Sequence, residues 1–273
     1  MSNFNAHSVD NARIKLSKAR YLPVMPLALV EHYAEKSPEE YPLNNLFLLA
    51  HEVLKAPARW SAALARLRNK FPLFTILDNS VVELGDSVSH QMIMDAIALT
   101  NPDVFVLPDV LEKGYQTLAA SSEFLDKFYE CPLPSAPLFI PQGSTLADWV
   151  ETLDEFHTLY PQISWIGIPR NATGRIVGSR KELVAITDMI CKNPKIHLMG
   201  FSDNITDDLL TARTEDSVVS IDSNVPLRLA FQHKRFCLTA KPGPRGNWES
   251  ELTRSSFMRQ YHVNIQRVEE YLQ

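Results

Sequence analysis

The feature that most constrains the fold is a regular alternation of short apolar runs with helical patterns along most of the chain. Eight runs are apolar and too short for typical helices, so they indicate buried strands. They cover residues 21–29, 46–50, 74–77, 104–107, 138–140, 164–168 and 196–199, and the eighth begins at residue 217. The patterns between and after them predict helices over residues 58–70, 87–99, 115–129, 146–160, 180–191, 207–212, 226–231 and 255–272.

This alternation predicts an α/β protein with parallel strands, and eight repeats fit a closed (β/α)8 barrel. The main alternative is an open doubly wound sheet, which usually has a glycine-rich first turn. The chain contains neither GxGxxG nor GxxxxGK[ST], so the barrel is favoured. We predict a catalytic barrel over residues 1–232, followed by a helical and basic extension over residues 233–273 that packs on it.

The composition favours a protein of the reducing cytoplasm. No apolar run reaches the roughly 18 residues that a membrane span needs, and the N-terminal stretch has no signal-peptide pattern. The three cysteines are isolated, which argues against a disulfide framework. No histidine has a recognisable metal-ligand spacing, so we expect no metal or cofactor. His197 lies within a strand and is predicted to be a packed core residue.

Polar and small residues follow the predicted strands. In a barrel these positions share one face and form the active site. A carboxylate at the end of a buried strand is costly unless it is paired, solvated or used, and Asp222 is such a residue. We therefore predict a polar pocket for a flat, hydrogen-bonding ligand, built from Asp78, Asp109, Gln142, Gly167, Arg170, Met199, Gly200 and Asp222.

Six short segments, in order, resemble the tRNA-guanine transglycosylases and the DNA-acting relatives of phages and bacteria that insert 7-deazaguanine derivatives. The first two are LDNSVVELG around Asp78 and VLPDVL around Asp109. The others are PQG at residues 141–143, Gly167-Ile168, LMG at residues 198–200 and IDSNVPLR at residues 221–228. The resemblance covers about residues 21–228.

The resemblance implies a role for each matched residue. Asp222 would be the nucleophile that traps the sugar covalently, and Asp78 the general acid and base. The base would be held by the matched positions Asp109, Gln142, Gly143, Gly167, Met199 and Gly200, with Gly167 offering its backbone N–H and Met199 stacking under the ring.

Two departures from the family pattern affect the substrate. The tRNA enzymes carry a Cys-x-Cys-x2-Cys…His zinc site after the nucleophile, whereas here that region has only Cys237 and His262. This absence favours DNA over tRNA. The Gly-Gly that follows the first aspartate in the family is replaced by side chains at residues 80–82, which should narrow or reshape the base pocket.

The basic residues suggest where a nucleic acid would bind, although the net charge is −5. From residue 228 onward the chain has eight Lys/Arg against four Asp/Glu. A loop that follows strand six carries four bases and no acid, and a second basic turn lies at residues 241–246. The candidate phosphate contacts are Arg170, Arg175, Arg180, Lys181, Arg228, Lys241 and Arg245. A nucleotide in duplex DNA would have to be extruded to reach the pocket.

The sequence leaves several alternatives open. A tRNA-acting transglycosylase or an N-glycoside hydrolase would need the same two acids. A non-catalytic barrel that binds nucleic acid within a modification complex is also compatible with the loss of the Gly-Gly segment. A homodimer or a partner subunit is compatible with each of them.

Overall fold

The computed structural model describes residues 19–35, 42–130, 133–242 and 255–273. Eight parallel strands form one sheet in the order β1-β8-β7-β6-β5-β4-β3-β2. They are β1 (Arg20–Pro23), β2 (Asn45–Leu49), β3 (Phe74–Asp78), β4 (Val104–Val106), β5 (Ala136–Phe139), β6 (Trp165–Pro169), β7 (Lys195–Met199) and β8 (Val218–Ser223). A parallel bridge between Val24 and Phe47 joins the two edges, so the sheet closes into a barrel. The predicted (β/α)8 fold is confirmed.

Helices alternate with the strands and cover the outside of the barrel. They are α1 (Leu27–Glu35), α2 (Ala50–Lys55), α3 (Pro57–Lys70), α4 (Val81–Leu84), α5 (His90–Thr100), α6 (Gly114–Glu130), α7 (Leu146–Leu159), α8 (Arg180–Ile190), α9 (Ile205–Thr214), α10 (Val225–Phe231) and α11 (Ser255–Leu272). Side chains of Ser89, Thr145 and Asn204 cap the N-termini of α5, α7 and α9 by accepting backbone N–H groups. No helix in the described ranges is long and apolar enough to cross a membrane.

Apolar side chains form two layers, one between the strands and the helices and one inside the barrel. The inner layer consists of Leu22, Phe47, Phe74, Ile76, Val104, Val106, Leu138, Ile140 and Trp165. At the N-terminal end of the barrel the rings of Phe74 and Trp165 stack with their centroids 6.0 Å apart, and Arg20 lies over the Phe74 ring. The inside of the barrel is therefore filled at this end.

A β-bulge in β8 determines which way the last strand presents its side chains. Ile196 pairs with Val218, but the next residue, His197, pairs with Ser220, so Val219 is an extra residue. Side chains along a strand point alternately to its two faces, and Val218 packs in the outer layer. Without the extra residue, Asp222 would therefore face outward like Val218. The bulge reverses this parity, so Ile221 packs outward and Asp222 faces the barrel interior.

Helix α11 belongs to the region predicted as a C-terminal extension, and it packs against β1, α9 and α10. Its buried face includes Phe257, Tyr261 and Val268. Asn264 on the same face donates to the carbonyl oxygens of Pro226 and Lys234. The helix therefore lies in the outer helical layer of the barrel.

Candidate active site

A cavity of about 240 Å³ opens at the C-terminal ends of the strands. Seven of the eight residues predicted to form the pocket line it, namely Asp78, Asp109, Gln142, Arg170, Met199, Gly200 and Asp222. Arg228 and Glu83 also line the cavity. The structure thus brings three buried aspartates from three strand ends into one pocket, with apolar walls that include Val24, Phe47 and Ile140.

Asp222, at the end of β8, is held through one carboxylate oxygen. Its Oδ1 accepts the backbone N–H of Gly200 at 2.7 Å and lies 3.1 Å from Nε2 of His197. The residue is 6% exposed and contributes to the cavity wall. From outside the barrel, the hydroxyl of Tyr21 donates to the carbonyl oxygen of Ser223 at 2.7 Å, which anchors the chain just after Asp222.

Asp78, at the end of β3, lies in an environment that disfavours its charge. Burial raises the pKa of this carboxyl well above its usual range, and the nearby charges of Glu83, Asp109 and Asp222 raise it further. The backbone N–H of Ser80, which donates to Oδ2 at 2.8 Å, opposes this shift. Ser80 adopts a left-handed conformation with φ 67°, which turns the chain two residues after the aspartate.

Asp109 is held by two side-chain amides. Asn79 Nδ2 donates to its Oδ1 and Gln142 Nε2 to its Oδ2, each at 2.6 Å. Burial raises the pKa of Asp109 to about 6, although these two hydrogen bonds act against the shift. The Gln142 Oε1 atom in turn accepts the backbone N–H of Glu112 at 3.0 Å. Asp109 and Gln142 therefore form one fixed group, and Asn79 is a site residue that the sequence reasoning missed.

Two glycines predicted to hold the base do not line the cavity. A Cβ on Gly167 would lie 2.8 Å from side-chain atoms of Ile140 and Leu138, so this glycine makes room inside the barrel. It pairs with His197 within the sheet and is buried. A Cβ on Gly143 would lie 2.5 Å from the backbone nitrogen of Trp149, so this position packs against the start of α7. Both glycines support the site through packing.

Arg180 was predicted to contact a nucleic acid, and the structure places it in the interior instead. Its side chain is 0% exposed and forms an ion pair with Asp208 at 2.6 Å. It also donates to the carbonyl oxygens of Met199 at 3.2 Å and Gly200 at 2.8 Å. The second Asp208 oxygen accepts the N–H of Ser202. Arg180 therefore holds the loop after β7 and cannot reach a polymer in this conformation.

The other predicted phosphate contacts occupy different environments. Arg170 and Arg228 line the cavity, and Arg170 is exposed. Arg175 donates to the carbonyl oxygen of Gly143 at 2.8 Å and lies 3.5 Å from Glu112, whereas the exposed Lys181 pairs with Glu215 at 2.8 Å. Lys241 is exposed. Arg245 lies outside the described residues.

Within the described ranges, no group of three or more His, Cys, Asp or Glu side chains is arranged to hold a metal ion. The fold and the pocket define a (β/α)8 barrel with an acidic cavity at its mouth. No protein-family model matches the chain, and no curated protein matches it. The transglycosylase assignment therefore rests on the residues themselves and stays a prediction.

Proposed function

We propose that the protein is a base-exchanging transglycosylase that replaces guanine in a nucleic acid, with DNA favoured, by a 7-deazaguanine derivative. The observation that carries the proposal is that one cavity contains two carboxyl groups, of Asp78 and Asp222, in different environments. Asp78 has a raised pKa, which suits a proton donor, whereas Asp222 is held by two hydrogen-bond contacts on one oxygen. Their chemistry matches the roles that the resemblance implies.

The reaction runs in two halves. First, a carboxylate oxygen of Asp222 bonds to C1′ of the sugar while the bond from C1′ to the base nitrogen breaks. The electron pair of that bond stays on the nitrogen, and the proton comes from Asp78. Next, the carboxylate of Asp78 takes the N–H proton of the incoming base, whose nitrogen bonds to C1′ as the bond to Asp222 breaks. Both side chains return to their starting protonation states.

The fixed group of Asp109 and Gln142 would read the edge of the base, and Met199 would contact its face. Arg170 and Arg228, which also line the cavity, would contact the phosphates beside the extruded nucleotide. The lack of the zinc-site cysteines supports DNA over tRNA. The narrowed position beside Asp78 is occupied by Val81 and Val82, and both contribute to the cavity wall. These side chains would limit the size of the base that enters.

The proposal is tested by incubating the protein with duplex DNA and labelled 7-cyano-7-deazaguanine. We expect label to enter the DNA and guanine to leave it in equal amounts. Release of guanine without incorporation would instead identify a hydrolase, and the same assay with tRNA separates the two polymers. If the protein binds DNA but the DNA neither loses guanine nor gains label, the result contradicts the proposal and favours a non-catalytic barrel.

The pH dependence of exchange should respond to Glu83, whose negative charge contributes to the raised pKa of Asp78. The proton-donating form of Asp78 is lost as the pH rises through that pKa. Glu83→Gln removes the charge and lowers the pKa of Asp78, so we expect the high-pH limb of kcat to move to lower pH. Asp86→Asn is the control, because Asp86 is exposed just after α4, the helix that carries Glu83, and lies outside the cavity wall. If the high-pH limb of kcat lies at the same pH in Glu83→Gln as in the wild type, the result argues against Asp78 as the proton donor.

A further inference from the structure

The side chains of Ser220, His197 and Asp222 form a hydrogen-bonded chain that runs from the interior of the barrel to the cavity. The Oγ atom of Ser220 is 2.8 Å from Nδ1 of His197, and Nε2 of His197 is 3.1 Å from Oδ1 of Asp222. The imidazole also stacks on Phe47, with ring centroids 5.5 Å apart and an interplanar angle of 13°. Two hydrogen-bond contacts and one ring contact therefore fix the position and the plane of the histidine.

The donors and acceptors in this chain determine where the proton sits. An ionised carboxylate only accepts hydrogen bonds, so Nε2 of His197 must carry the hydrogen that lies between the two side chains. In the neutral imidazole Nδ1 is then an acceptor, and the hydroxyl of Ser220 donates to it. This arrangement satisfies both ring nitrogens, although His197 is fully buried.

The order of the three groups differs from that of a serine hydrolase, although the residue types are the same. Ser220 is 0% exposed and does not line the cavity, so it cannot attack a substrate. Asp222 is the member of the chain that faces the cavity. His197 therefore holds the carboxylate of Asp222 through Nε2, and the hydroxyl of Ser220 holds His197 through the other ring nitrogen, Nδ1.

We propose that His197 is a positioning residue that orients the Asp222 carboxylate for attack on the sugar. This inference rests on the proposed nucleophilic role of Asp222. His197 and the N–H of Gly200 both hold Oδ1, which leaves Oδ2 as the oxygen that bonds to C1′. The β-bulge at Val219 supports this arrangement because it places Ser220 opposite His197 and turns Asp222 inward.

Two variants separate positioning from packing. His197→Phe keeps a flat ring beside Phe47 and removes the donor, whereas His197→Gln places an amide N–H close to the position of Nε2. We expect kcat for exchange to fall about 10²-fold in His197→Phe, since a small misplacement of a reacting group has an effect of this size. We expect His197→Gln to recover at least about tenfold of that loss, with KM for DNA and base little changed in both. His157→Phe, on helix α7, controls for loss of an imidazole elsewhere.

The inference is overturned if His197→Phe retains the wild-type kcat, or if His197→Gln is as slow as His197→Phe. The imidazole nitrogens give a readout that needs no activity. In ¹⁵N NMR spectra of the wild-type protein we expect His197 to carry its proton on Nε2, and a proton found on Nδ1 alone would contradict the contact with Asp222. If the wild type exchanges no base yet shows the Nε2 proton, the proposed function fails while the geometry of the pair stands.

Discussion

Replacing Asp222 with asparagine is expected to lower the rate of base exchange by on the order of 10³-fold or more while leaving the fold intact. Asparagine has the same shape, and its oxygen can still accept from Gly200 N–H and His197 Nε2, the two partners of Oδ1. The other oxygen becomes an amide nitrogen, which cannot form the ester bond to C1′. The loss should therefore appear in kcat, with binding of DNA nearly unchanged.

The measurement is the initial rate of label incorporation together with trapping of the protein–DNA adduct under denaturing conditions. Wild-type protein should give the adduct when the incoming base is withheld, and Asp222→Asn should not. Asp95→Asn makes the same chemical change on the exposed side of α5 and should exchange at the wild-type rate. Equal rates for Asp222→Asn and Asp95→Asn would remove Asp222 as the nucleophile, whatever the reaction proves to be.

Most of the fold could be predicted because its elements carry local signals. Each strand is a short apolar run, and α11 was predicted over residues 255–272, the range that the structure shows. Three helices were missed, and the first predicted strand was too long. Residues 27–29 were assigned to that strand, whereas β1 ends at Pro23 and these residues begin α1. Helices α2 and α4, with six and four residues, are too short to show helical periodicity. The bulge at Val219 was missed as well, since two adjacent residues that face the same side leave no clear pattern in a six-residue strand.

The aspartates of the site were predictable for a geometric reason. Residues that follow the strands of a barrel meet at one mouth, so Asp78, Asp109 and Asp222 could be grouped before their contacts were known. The burial of His197 was predicted and is confirmed, but its contact with Asp222 was missed, because a histidine within an apolar strand also fits a core with no role in the site. One signal was available: it lies two residues before Met199 on the same strand, so both side chains point to the barrel interior.

Arg180 shows what local sequence cannot decide. It lies in a basic stretch with Arg175 and Lys181, and nothing nearby marks it as the buried member. Its partner Asp208 is 28 residues away on another helix, so only the tertiary structure identifies the ion pair. The local composition therefore predicted that Arg180 contacts a phosphate, whereas in the structure Arg180 is buried and holds the loop after β7.

Replacing Arg180 with methionine is expected to lower the free energy of unfolding by about 3–5 kcal/mol, because it leaves Asp208 buried without its charged partner. The carbonyl oxygens of Met199 and Gly200 lose a donor in the same change. For a chain of this size the melting temperature should fall by roughly 10 °C. Urea denaturation followed by circular dichroism measures the change.

Lys181→Met is the matched control, because it removes a neighbouring cation whose pair with Glu215 is exposed to solvent. We expect its effect to stay within about 1 kcal/mol. The double variant Arg180→Met/Asp208→Leu removes both buried charges and should recover much of the stability, since well-packed apolar groups replace a buried pair at little cost. Although its stability recovers, the double variant should exchange base more slowly than the wild type. The N–H of Gly200 that holds Asp222 lies on the loop after β7, and this loop loses its support from Arg180. Equal stability of the two single variants would show that the buried pair does not hold this loop.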